Sequence, residues 1–83
     1  MTYQVIWSER AIDQAAGFLK DDPEGLQQLF TAVDLLAADP RPAGTAEYGS
    51  PNIRRLRAGR FRVLYNVSDE AVTVVVIHAG RTS

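Results

Sequence analysis

Ile53-Arg54-Arg55-Leu56-Arg57-Ala58-Gly59-Arg60-Phe61-Arg62-Val63-Leu64-Tyr65 carries five arginines through a strand, a tight turn and a second strand. Gly59-Arg60 fits the two-residue connection of a type II′ hairpin, in which the first central residue takes a positive φ that glycine adopts without strain. That turn sets Ala58 opposite Phe61, Arg57 opposite Arg62, Leu56 opposite Val63 and Arg55 opposite Leu64. Cross-strand partners share a face of the sheet. Leu56, Val63, Tyr65 and Val67 therefore line a core face, and Arg55, Arg57 and Arg62 line the other. Two arginines directly opposed cost about 0.2–1 kcal/mol if nothing offsets them, so this face is suited to an acidic partner.

The next strand extends the pattern. Ser68-Asp69-Glu70-Ala71 reads as a four-residue loop that pairs Val67 with Val72, Tyr65 with Val74, Val63 with Val76 and Phe61 with His78. Even positions of this strand then face the core, His78 among them as a buried structural residue. Thr73, Val75, Ile77, Ala79 and Arg81 join the arginine face. The run Val74-Val75-Val76-Ile77, apolar on both faces, suits a central strand.

Length and charge bound the rest. Eighty-three residues make one small domain, 1–83, with a single core, and no cysteine is present for disulfides or thiolate metal sites. The opening Met1-Thr2-Tyr3-Gln4-Val5-Ile6-Trp7 lacks the basic start and long apolar run of a secretory signal, and no stretch is long enough to span a membrane. A cytoplasmic protein is the expectation. Net charge is −1, but residues 1–50 carry three basic against eight acidic groups, and residues 51–83 carry six arginines against Asp69 and Glu70. A chain polarised this way can turn a basic face to a polyanion. Arginine in place of lysine favours bidentate contact with phosphate or carboxylate.

Upstream of the hairpin, Tyr3, Val5 and Trp7 alternate with polar neighbours as in a strand buried on one side. Ser8 is placed to cap a helix whose stripe is Ile12, Ala15, Ala16 and Leu19, with Glu9 at the positive end of the helix dipole. Asp22-Pro23-Glu24 opens a second helix, striped by Leu26, Leu29, Phe30, Val33, Leu36 and Ala37 and ended by Asp39-Pro40. Residues 39–52, with three prolines and two glycines, show no period and read as a long loop. The expected fold is α+β in the order β-α-α-β-β-β, a two-helix hairpin packed on one face of a small, mainly antiparallel sheet.

This order resembles the RelE/ParE superfamily of bacterial toxins from type II toxin–antitoxin modules. The resemblance covers essentially the whole chain and rests on Tyr3-Gln4-Val5-Ile6-Trp7-Ser8-Glu9-Arg10-Ala11, on Ala38-Asp39-Pro40-Arg41-Pro42, and above all on Leu56-Arg57-Ala58-Gly59-Arg60-Phe61-Arg62-Val63-Leu64-Tyr65. It implies a basic groove on the sheet face opposite the helices, a first strand lying parallel beside the last, and a cognate antitoxin that wraps the toxin. Some members cleave mRNA in the ribosomal A site and others poison DNA gyrase.

Carried over by position, the resemblance gives Arg62, Arg55 and Arg81 as the catalytic arginines of a ribosome-dependent mRNA endonuclease; Arg54, Arg57 and Arg60, in the same basic hairpin, are the expected RNA-binding residues. Ribosome, mRNA and, through the antitoxin complex, operator DNA are then the partners; no metal or other cofactor is implied. Leu64, Val75 and Ile77, sharing the arginine face, form an apolar strip suited to the antitoxin. The alternatives are a gyrase inhibitor and a weakened toxin acting mainly by antitoxin and operator binding, and for the arginines a solvated face paired with the acidic helices. The tyrosine with which nuclease members often end is lacking, because the chain runs Gly80-Arg81-Thr82-Ser83. Arginine stays protonated and cannot serve as a base. The acid or base candidates are His78, Glu47, Tyr48 and Tyr65, of which Tyr65 falls on the core face.

Overall fold

The computed structural model describes residues 2–82; Met1 and Ser83 lie outside them. A first strand, β1 (Gln4–Trp7), leads into helix α1 (Glu9–Ala16) and then α2 (Pro23–Asp34), which tightens into a 3₁₀ turn at Leu35–Ala37. Four strands follow: β2 (Ala46–Ser50), β3 (Ile53–Ala58), β4 (Phe61–Ser68) and β5 (Thr73–Arg81). The sheet order is β1-β5-β4-β3-β2, with β1 parallel to β5 and every other pair antiparallel. Both helices cover one face. The expected α+β layering holds, with one strand more than the sequence pattern shows.

That strand, β2, lies inside residues 39–52, where the sequence pattern predicts a loop. It is an edge strand pairing Ala46 with Arg55 and Glu47 with Arg54 before its register breaks ahead of Ser50. Ala46 through Gly49 are exposed, so no apolar alternation marks the strand in the sequence.

Local chemistry sets the helix starts. The Ser8 hydroxyl accepts from the Ala11 N–H at 3.1 Å, and the Asp22 carboxylate from the Gly25 N–H at 2.9 Å, with Pro23 opening the first turn of α2. Leu26, Leu29, Val33 and Leu36 are buried as the period predicts. The α1 stripe holds only at Ala15. Ala11 and Ala15 are the buried positions, whereas Ile12 and Leu19 are 52% and 56% exposed. Small residues let α1 lie close on β5, and the helix stops at Ala16, short of Leu19. One core gathers these helices with Leu56, Phe61, Val63, Tyr65, Val67, Val74, Val76 and Ala79.

The β3–β4 hairpin has the expected register, Arg57 opposite Arg62 and Leu56 opposite Val63, with Gly59 at φ 60°. The β4–β5 register departs in two steps. The loop is Asp69–Val72, so Val67 meets Val74 and Tyr65 meets Val76, a two-residue shift that preserves the faces. Between Leu64 and Tyr65 the register then slips by one, leaving Ile77 as an extra residue: Leu64 meets His78, Val63 meets Ala79, Arg62 meets Gly80 and Phe61 meets Arg81. A bulge of this kind exchanges inward and outward positions beyond it. Ala79 is consequently core, His78 turns to the arginine face, and Arg81 turns to the helix side.

Candidate functional site

On the face away from the helices, β2, β3, β4 and β5 each send a side chain into one pocket. Tyr48, Arg55, Arg62, Leu64 and His78 line it, around a volume of about 260 Å³. Arg55 and Arg62 arrive there because the Gly59 turn fixes their parity, and His78 because the bulge reverses its own. Tyr48 reaches it from the edge strand and is 53% exposed. Gly80 helps to shape the space by what it lacks. A Cβ there would lie 3.3 Å from His78 Cε1 and 3.7 Å from Arg62 Nε, so a side chain would crowd the region that the imidazole and the guanidinium share.

The six C-terminal arginines divide into two sets. Arg54, on the core side opposite Tyr65, donates from Nε and Nη2 to the Thr45 hydroxyl at 3.1 and 3.0 Å, and from Nη2 to the Thr45 carbonyl at 3.1 Å. Arg60 sits in the turn with its Nε 3.6 Å from the Asp22 carboxylate. Arg81 places Nη1 3.4 Å from Asp21 and its guanidinium carbon 5.5 Å from the centre of the Phe18 ring. These three do not join the groove expected of them. Arg55, Arg57 and Arg62 make no side-chain hydrogen bond or ion pair among the described residues, and all three are on the outer face. Arg57 flanks the pocket without lining it.

Among the acid or base candidates, Tyr65 is fully buried and its hydroxyl donates to the Pro40 carbonyl at 2.8 Å, a structural role. Glu47 is exposed and does not line the pocket; Tyr48 and His78 do. The sequence pattern assigns His78 to the core because nothing in it marks the bulge that lies between the β4–β5 turn and this position. No group of three or more His, Cys, Asp or Glu residues gathers to hold a metal among the described residues. None of their helices is long and apolar enough to cross a membrane.

Two apolar surfaces accompany the pocket. Leu64, Val75 and Ile77 are half-buried along the outer face, with the exposed Ile6 beside Val75 across the parallel pair. On the other side, Trp7, Ile12, Ala16, Leu19, Leu26 and Phe30 border an open groove between the helices. A separate cluster ties three segments together away from the pocket. The Tyr3 hydroxyl donates to Asp69 at 2.6 Å, and Arg41 contributes two hydrogen bonds at 3.1 Å to the two oxygens of the same carboxylate. Hydrogen bonds from Arg41 and Tyr3 hold the Asp69 carboxyl below its ordinary range, and the hydrogen bond to Asp69 pushes the Tyr3 phenol up.

The same backbone recurs in known toxins. The isolated E. coli RelE toxin superimposes with a TM-score of 0.82 at 25% identity, over 98% of this chain and 85% of that one. The toxin in the intact E. coli RelBE toxin–antitoxin complex gives 0.78 at 28% identity over 98% of each chain. An archaeal RelE–RelB complex from Pyrococcus horikoshii gives 0.77 at 20% identity, over 98% and 96%. No curated protein matches significantly. The model of a sequence family described as the ParE toxin of the type II toxin–antitoxin system parDE matches residues 5–83. With that match spanning nearly its whole length, the chain belongs to the ParE toxin family and is a type II toxin of the RelE/ParE superfamily.

Proposed function

We propose that this toxin acts by cleaving mRNA on the ribosome, with Arg55 and Arg62 binding the scissile phosphate and Arg57 an adjoining one. The observation that carries the reading is the division of the arginines: those on the helix side have partners within the chain, while the three on the outer face have none among the described residues. Opposed guanidiniums without a carboxylate between them favour an external anion, and a phosphodiester accepts the bidentate hydrogen bonds that arginine donates. The phosphate gains negative charge as it is attacked, so oriented guanidiniums stabilise that state more than the ground state. A cognate antitoxin, of the kind that accompanies its structural neighbours, would neutralise the protein; seated on Leu64, Val75 and Ile77, it would also mask the cationic pocket beside them. Operator DNA would be bound through that complex.

A second reading, inhibition of DNA gyrase without RNA cleavage, is favoured by the ParE description of the matching family. Induced expression without antitoxin, with growth and the 5′ ends of cellular messages followed in one culture, separates the two. Cuts at in-frame codon positions in arrested cells are the expected result. Arrest with intact messages and broken DNA would replace the nuclease with the gyrase reading. Normal growth would leave a toxin whose remaining activity is to bind its antitoxin.

A further inference from the structure

Cleavage of RNA needs more than cations. A ribose 2′-hydroxyl is a weak nucleophile until a base takes its proton, and the arginines of this pocket cannot do so. His78 is half-buried on the pocket wall, opposite Leu64 and beside Gly80, whose strand partner is Arg62. We propose that His78 is the proton acceptor for the attacking 2′-hydroxyl, an assignment that rests on the nuclease reading above.

Three features converge on it. The extra residue Ile77 turns His78 out of the core face, and bulges often re-aim a side chain beside a site. Glycine at position 80 leaves open the space next to both the imidazole and the guanidinium, so a phosphate held by Arg62 has room to bring its ribose against the ring. The imidazole also shares its pocket with the groups proposed to hold the phosphate. Arg55 from β3 and Arg62 from β4 are cationic, Tyr48 from β2 is a phenol, and among the described residues no carboxylate lines the pocket.

The step balances without a co-reactant other than water. As the O2′–P bond forms, the 2′ proton passes to the imidazole and the P–O5′ bond breaks. The departing 5′ oxygen takes a proton from water, and the resulting hydroxide takes the imidazolium proton. One fragment ends in a 2′,3′-cyclic phosphate and the other in a 5′-hydroxyl. Gly80 acts here as a positioning residue.

The test is single-turnover cleavage of a defined message on programmed ribosomes, followed across the pH range in which imidazole titrates. Wild-type cleavage should accelerate as the pH rises through that range and then level. His78→Gln should lower the rate by about 10²–10⁴-fold and lose this pH dependence. His78→Gly should regain cleavage with added imidazole, a response that a purely structural histidine would not give. Gly80→Ala should slow cleavage while keeping the pH dependence. Cleavage by His78→Gln at the wild-type rate would overturn the assignment and leave the nuclease standing. So would a well-folded His78→Gly that imidazole does not rescue. No cleavage by the wild type at any pH would remove the nuclease reading, and this assignment with it.

Discussion

The side-chain carbonyl of Gln14 accepts a hydrogen bond of 2.8 Å from the backbone N–H of Ala79. β1 ends at Trp7, opposite Val76, so β5 has no strand beside it on that edge further along. Gln14 supplies the acceptor that a strand would have offered, one residue past His78. Gln14→Leu should destabilise the fold by about 1–3 kcal/mol, the cost of a buried donor left without a partner. Gln14→Glu keeps the acceptor and should lose less, with urea denaturation of the two variants giving the comparison.

Tyr65 ties the sheet to the chain leaving α2, through its hydroxyl and the Pro40 carbonyl. Tyr65→Phe preserves the ring in the core and removes only that donor. A loss of about 1–3 kcal/mol is expected by equilibrium denaturation. A smaller loss would mean that the segment moves to rehydrate the carbonyl.

Gly25 occupies the first turn of α2, where alanine would ordinarily be better by about 1 kcal/mol. An added Cβ would collide with the capping carboxylate of Asp22 and come within 2.8 Å of Phe61 Cε2. Phe61 is fully buried and closely packed, so Gly25→Ala should destabilise by about 1–3 kcal/mol despite the gain in propensity. A thermal melt of the variant reads the sign directly.

The Tyr3–Asp69–Arg41 cluster makes a prediction about pH. Asp69 has a lowered carboxyl pKa, so its stabilising contribution is present above the ordinary aspartate range and is lost as the pH falls through the lowered value. Tyr3 has a raised phenol pKa, so its contribution is present below the ordinary tyrosine range and is lost as the pH rises through the raised value. Wild type should exceed Asp69→Asn in stability at neutral pH, and the gap should close in acid. Added salt should narrow it too, because the cluster is exposed. Melting temperatures of both proteins across pH and salt check each limb.

The two sets of arginines should separate in toxicity. Arg62→Ala should cut message cleavage by about 10²–10³-fold, the usual effect of removing one oriented donor to a developing charge. Arg81→Ala and Arg60→Ala, which remove partners of Asp21 and Asp22, should leave toxicity near wild type. Equal losses from Arg62→Ala and Arg81→Ala would mean that the two faces act together.

Where a local rule governs, the fold is legible in the sequence. Gly59 fixes a turn, the turn fixes a register, and the register places Arg55, Arg57 and Arg62 together. Ser8 and Asp22 announce their helices in the same way. His78 and Arg81 fall on the wrong faces in the sequence pattern because no residue type announces a β-bulge, and a single extra residue exchanges every face beyond it. The α1 stripe is right at Ala15 and misleads elsewhere, because Ile12 and Leu19 outrank Ala11 in hydrophobicity, whereas close approach to β5 selects for size. β2 leaves no trace because an exposed edge strand needs no apolar period.

The pairing of β1 with β5 joins residue 4 to residue 73, and so decides when the protein can become whole. A contact this distant along the chain carries a larger loop-closure cost than the local hairpins do. During synthesis β1 waits beside α1 and α2 with no strand to receive it, and the pocket lacks His78 until β5 arrives. An interrupted translation product that stops in β4 would have neither a partner for β1 nor a complete site. Such fragments should be inert, lacking both the closing strand and the imidazole that β5 brings to the pocket.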